Sequence, residues 1–180
     1  ILFSVLFLLL GGLVTLPAQE VRVSQPQKYN IKNHEMEVLG NHGTNTVFFI
    51  AGRNDNKLQV YNEKLAMTKQ HYVKLPRKAH VVKAILQDSI ITLFIRQKEG
   101  KQLFLYARQY NMALQPDTTQ HFLDTVAKPF AHPFERLYFE RSEDKSKLLI
   151  YYFENNNSRS GKLHYLLLEN GIDIKSKGVA

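Results

Sequence analysis

From Asn45 onward the chain alternates short apolar runs with clusters of polar turn residues, and almost nowhere is a helical spacing sustained. Strand rules therefore apply. They predict strands over 46–51, 57–61, 70–74, 81–86, 89–96, 102–108, 120–124, 136–140, 147–153 and 162–168. Between them stand Asn54-Asp55-Asn56, Lys98-Glu99-Gly100, Glu143-Asp144-Lys145-Ser146 and the Asn-rich stretch 155–161, residue types that accept positive φ or cap their own backbone. Antiparallel hairpins in a meander are the economical connection. Two runs are apolar on both faces: Ile91, Leu93 and Ile95 alternate with Thr92 and Phe94, and Leu148, Ile150 and Tyr152 alternate with Leu149, Tyr151 and Phe153. Such strands are expected to be covered on both sides, as when sheets stack face to face. No closing strand is read after 168.

The front of the chain has another texture. Residues 1–10 are apolar except for Ser4, Gly11 and Gly12 follow, and 13–16 lead to Pro17-Ala18-Gln19. This order predicts a secretory signal peptide over 1–18, cleaved after Ala18, and a periplasmic or extracellular destination. A spanning helix wants about 20 apolar residues. Pro17, Gln19, Glu20 and Arg22 cut this run short, so no integral membrane segment is expected in the mature chain. Because the chain opens on Ile1 and carries no basic segment before the apolar run, a piece lacking its front is expected, and the third repeat described below suggests that its back is missing too. Residues 19–44 read as an N-terminal arm or first strand, and 45–180 as a β-repeat domain.

The repeat is weak but internal. Lys57-Leu58-Gln59-Val60-Tyr61, followed by Asn62 and Leu65, returns as Gln102-Leu103-Phe104-Leu105-Tyr106, followed by Tyr110, Asn111 and Leu114. It returns again as Lys162-Leu163-His164-Tyr165-Leu166, followed by Asn170, Gly171 and Ile172. Leu58 and Leu103 are 45 residues apart, and Leu103 and Leu163 are 60. A period near 40 to 50 residues with about four strands suits a propeller blade. On these residues the chain resembles the propeller-like repeat proteins exported by bacteria. The resemblance implies an all-β fold of antiparallel meander blades forming an incomplete β-propeller of about three units; a β-sandwich is the alternative. It carries no family residue onto a position of this chain, since there is no Trp-Asp pair and no kelch Gly-Gly signature.

Charge and composition then narrow the chemistry. The 24 basic and 16 acidic residues leave a net +8. The basic residues are scattered one or two at a time rather than gathered on a phosphate-tracking face, so no nucleic-acid partner is expected. There is no cysteine, which removes disulfides, thiolate sites and a lipid-modified N-terminal cysteine. The seven histidines show neither the i, i+4 nor the i, i+2 ligand spacing, and Asn54-Asp55-Asn56 lacks the rest of a calcium loop. No metal or cofactor is expected. Ser89, Ser142 and Ser146 lack a glycine-flanked elbow, and Glu143 with Asp144 are neighbours in a turn rather than opposed across a cleft, so no catalytic residue is assigned. Tyr138, Phe139, Tyr151, Tyr152, Phe153 and Tyr165 crowd the last unit, as core or as a stacking face for sugars. The stiff apolar loop 128–134 offers Phe130, His132 and Phe134 as a partner-contact loop. The expected function is that of an exported, non-catalytic propeller-like binding or scaffold protein whose partner is a protein, a peptide or a glycan. The alternative is the accessory or sensor part of a longer exported peptidase or membrane signalling receptor.

Overall fold

The computed structural model describes residues 34–52, 55–100, 102–126, 137–155 and 161–180, and within them every regular element is a strand. The first sheet, A, is built from β1 (His34–His42), β2 (Asn45–Gly52), β3 (Asn56–Tyr61) and β4 (Met67–Val73). Sheet B holds β5 (Ala79–Gln87), β6 (Ile90–Glu99), β7 (Gln102–Asn111) and β8 (His121–Val126). Sheet C holds β9 (Tyr138–Arg141), β10 (Lys147–Asn155), β11 (Gly161–Glu169) and β12 (Asp173–Val179). In each sheet the strands are antiparallel and lie in chain order. The described residues are therefore all-β, three four-stranded meanders with no closed barrel among them, an arrangement that suits both an incomplete propeller and a stacked sandwich.

The repeat read from sequence has a structural counterpart, because Leu58, Leu103 and Leu163 all lie on the third strand of their sheets. The bend after that strand is the same in A and B. Asn62 Oδ1 accepts from the Lys64 and Ala66 N–H groups at 3.0 Å each, and Asn111 Oδ1 accepts from Ala113 at 2.9 Å and Gln115 at 3.0 Å. Leu65 and Leu114, three residues on, take φ of 57° and 60°. In C the bend is tighter, with Asn170 and Gly171 at positive φ.

Two edge strands stand outside the alternating pattern, the first of them within the stretch 19–44 read as an arm or first strand. His34–His42 forms a full strand against β2, although its residues alternate poorly. Residues 173–179 form the fourth strand of C, so a closing strand does follow the third copy. Both are edge strands with little burial, and Asp-Ile-Lys-Ser-Lys has no apolar period for a pattern to detect. Ladder hydrogen bonds to a well-formed neighbour hold them in place.

Sheet B lies between the other two. Val47, Phe49, Leu58 and Val60 of A pack against Ile91, Leu93, Ile95 and Tyr110 of B. The opposite face of B, with Phe94, Leu105, Ala107 and Leu123, packs against Leu148, Ile150, Leu166 and Leu168 of C. Strand β6 thus contributes alternate residues to two cores, and residues 91–95 are all buried, as its two-sided apolar pattern requires. Burying each such aliphatic or aromatic side chain is worth about 1.5–3 kcal/mol. Asp124, buried on β8, is paired with Lys177 on β12, which ties the outer edges of B and C together.

The expectation that β10 is covered on both sides is not met. Its Leu148, Ile150 and Tyr152 are buried against B, but Leu149 and Tyr151 are half-buried and Phe153 is 56% exposed. An apolar alternation reports what a strand can bury, not whether a neighbour is present. No helix among the described residues is long and apolar enough to cross a membrane, and the apolar run 1–16 lies outside them.

Candidate functional site

The turn joining the first two strands is short in A and B, and in all three sheets it turns through one positive-φ residue. Gly43 (φ 58°) follows His42 in A, Asp88 (φ 53°) follows Gln87 in B, and Lys145 (φ 60°) sits in the longer turn of C. Gly43 adopts this conformation without steric cost, whereas Asp88 and Lys145 hold it against the clash of their Cβ atoms. The three turns converge on one cleft of about 560 Å³, joined by Asn170 from the last turn of C.

The cleft is polar and of mixed charge. From A come Asn41 and His42, from B Gln87 and Asp88, and from C Arg141, Asp144, Lys145 and Ser146. Sheets are cross-linked at this point: His42 Nδ1 lies 2.8 Å from the Asp88 carbonyl oxygen, and Arg141 Nη1 donates to the Leu86 carbonyl oxygen at 3.3 Å. These contacts cross from A to B and from C to B.

Asp144 is the most constrained group in the cleft. Its carboxylate accepts from the Ser142 hydroxyl at 2.6 Å, from the Ser146 N–H at 3.0 Å and from the Ser146 hydroxyl at 2.8 Å. Led by the Ser142 hydroxyl, these bonds hold its carboxyl at about 2, below the ordinary carboxylate range. It is a fixed anion at any physiological pH, suited to accepting N–H groups and unsuited to donating a proton. The same bonds occupy both serine hydroxyls. Among the described residues no imidazole hydrogen-bonds to Ser142 or Ser146, and no three His, Asp or Glu side chains gather into a metal-ligating group.

A second cleft, of about 540 Å³, lies at the other end of A and B along the β4–β5 connection. Lys74, Arg77, Lys78 and His80 line it, with Asp55 opposite. Asp55 is engaged by Lys57 at 2.8 Å and faces His34 at 3.6 Å, so the carboxylate of the Asn-Asp-Asn turn serves an ion pair.

The sequence-derived candidates are distributed differently from this geometry. Phe130, His132 and Phe134 lie outside the described residues. The crowded aromatics divide between two sides of C: Phe139 meets Phe94 with ring centroids 5.2 Å apart, and Tyr152 stacks on His164 at 4.7 Å, both toward B. Tyr138, Tyr151 and Phe153 lie on the far side. Tyr138 and Tyr151 stack on one another at 4.9 Å and 13°, so each gives a ring face to the other. A flat sugar platform needs that face turned to solvent. His42 and Asp144 were visible as residue types, but Asp88, Arg141 and Asn170 carried no chemical motif. The signal that finds them is positional: they occupy hairpin ends of successive repeats.

In comparison with known proteins, no family model, no curated protein and no solved structure matches the chain.

Proposed function

We propose that the chain is an exported, non-catalytic, propeller-like binding scaffold, and that it takes an extended peptide in the cleft where the first turns of its three sheets meet. The observation that carries this reading is the convergence of those turns. Repeated units stacked side by side bring equivalent loops to one end, and loops held by a rigid β scaffold are where binding residues collect. The cleft offers fixed charges of both signs. Asp144, anchored by two serines, would accept from a ligand's N–H groups, while Lys145 and Arg141, one of whose nitrogens donates to the Leu86 carbonyl, would donate to carbonyl and carboxylate oxygens. A peptide backbone presents both kinds of group at strand spacing. A glycan would call for an exposed Tyr, Phe or Trp ring face, and among the described residues none of these lines the cleft.

An array of short peptides covering acidic, basic and neutral sequences tests the proposal on the purified chain, with hits measured by calorimetry. Binding is expected to weaken at least tenfold in Arg141→Ala and Lys145→Ala and to be unchanged in Met36→Lys, which lies on another face. The reading fails if no peptide binds below millimolar concentration, or if bound peptides are indifferent to both cleft substitutions.

A further inference from the structure

Among the described residues, the face of C turned away from B is a large apolar surface that the repeat itself marks as an interface. In each copy the third strand directs two residues toward the sheet that follows. Leu58 and Val60 are buried against B, and Leu103 and Leu105 are buried on the side of B that meets C. The corresponding pair in the third copy, Leu163 and Tyr165, is only half-buried. Around it stand Tyr151, Tyr138, which is 38% exposed, and Phe153. Tyr165 lays its ring across β12 at Gly178, where an added Cβ would come within 2.8 Å of ring carbons and 2.6 Å of the hydroxyl oxygen. The ring thus covers the bare backbone of an edge glycine.

We infer that this face docks a second copy of the chain, sheet C against sheet C, in a two-fold dimer. Three observations select this occupant. The equivalent faces of A and B are each covered by a four-stranded sheet, so a sheet is the shape to which this surface is built. The far side of A is not available as that sheet: at its centre Ile50 and Gln59 are already buried, and Gln59 is held by Gln70 at 2.6 Å and by the Tyr61 hydroxyl at 3.1 Å. Finally, although the chain carries a net +8, the rim of this face is balanced. Glu169 is paired with Lys175 at 3.3 Å, and Glu140 and Lys147 stand nearby on β9 and β10, so two copies meet here without the repulsion their total charge would impose. Four strands about 4.8 Å apart and six residues long give a footprint on the order of 400 Å² before side-chain relief. A specific dimer needs roughly 500 Å² from each partner, so this face lies at the lower limit and the dimer is expected to be weak.

Light scattering coupled to size-exclusion chromatography of the purified chain, over a hundredfold range of concentration, tests the inference. A mass rising to twice that of the monomer is expected, with dimerisation weakened at least a hundredfold in Phe153→Glu and unaffected in Met36→Lys. Because the chain has no cysteine, Glu140→Cys introduces a unique thiol for a spin label. A single narrow distance between labels of the two copies is expected, and that readout does not depend on the folding of the Phe153 variant. A monomer at every concentration overturns the inference, as does a dimer broken by Met36→Lys and spared by Phe153→Glu. It is equally overturned if the native protein carries a further sheet of its own on this face and stays monomeric.

Discussion

Strands β6 and β10 occupy the same place in successive sheets and carry the same two-sided apolar pattern, yet one is sealed between two layers and the other is sealed on one side only. The difference lies in their neighbours. Strand β6 has A before it and C after it, whereas among the described residues β10 packs against B alone. Local sequence therefore states the requirement for cover, and the order of sheets decides whether it is met. A face that keeps the requirement without the cover is the one on which we propose that a second copy docks.

The sharpest way to break this comparison is to truncate one ring on each side. Phe94→Ala, at the fully buried contact between B and C, is expected to cost about 3–5 kcal/mol in denaturant unfolding, through lost transfer energy and an unfilled cavity. Phe153→Ala, on the open side of C, is expected to cost less than about 1 kcal/mol under dilute conditions, because water already reaches the ring. Equal costs would place the two rings in the same environment and remove the distinction.

A smaller effect probes the edge where B meets C. Lys177→Ala leaves the buried Asp124 carboxylate without its partner, and a loss of about 1–2 kcal/mol is expected in the same assay, reduced from the fully buried case because Lys177 itself is half-exposed. Asp124→Asn with Lys177→Ala together should recover part of that loss. The turns give a smaller change of opposite sign. Lys145→Gly relieves a positive-φ lysine at an exposed site and is expected to raise stability by about 0.5–1 kcal/mol.

The last prediction concerns pH. Asp144 has its folded carboxyl depressed from 3.8 to about 2, so whatever stability it contributes is present above pH 4 and is lost as pH falls from about 4 through 2. Its side-chain carbon resonance is expected to titrate near 2. In Ser142→Ala the midpoint should move up toward the ordinary carboxylate range, and no movement would show that the hydroxyl is not the cause.

Much of the architecture was legible because half-buried central strands must alternate. Residues 46–51, 57–61 and 147–153 mark β2, β3 and β10 almost to their ends, and the Leu58, Leu103 and Leu163 copies mark the third strands. The edge strand β12 escaped the pattern, and β1 was legible only as an arm or first strand, because Met36, Val38 and Ile174 stay exposed and nothing selects a period for them. The cleft escaped for another reason. Asp88 and Arg141 are remote in sequence and line one cleft only because sheets B and C stack, a juxtaposition that no local pattern encodes.

Residue-resolved hydroxyl-radical footprinting at rising protein concentration tests the central claim most directly, because it reads the cover of β6 and of the C face at once. Phe94, Ile95 and Tyr110 are expected to stay protected at every concentration, while Tyr138 and Phe153 are modified in dilute solution and become protected as copies associate. Equal modification of Phe94 and Phe153 in dilute solution would contradict the three-layer stack in which B is enclosed and C is open.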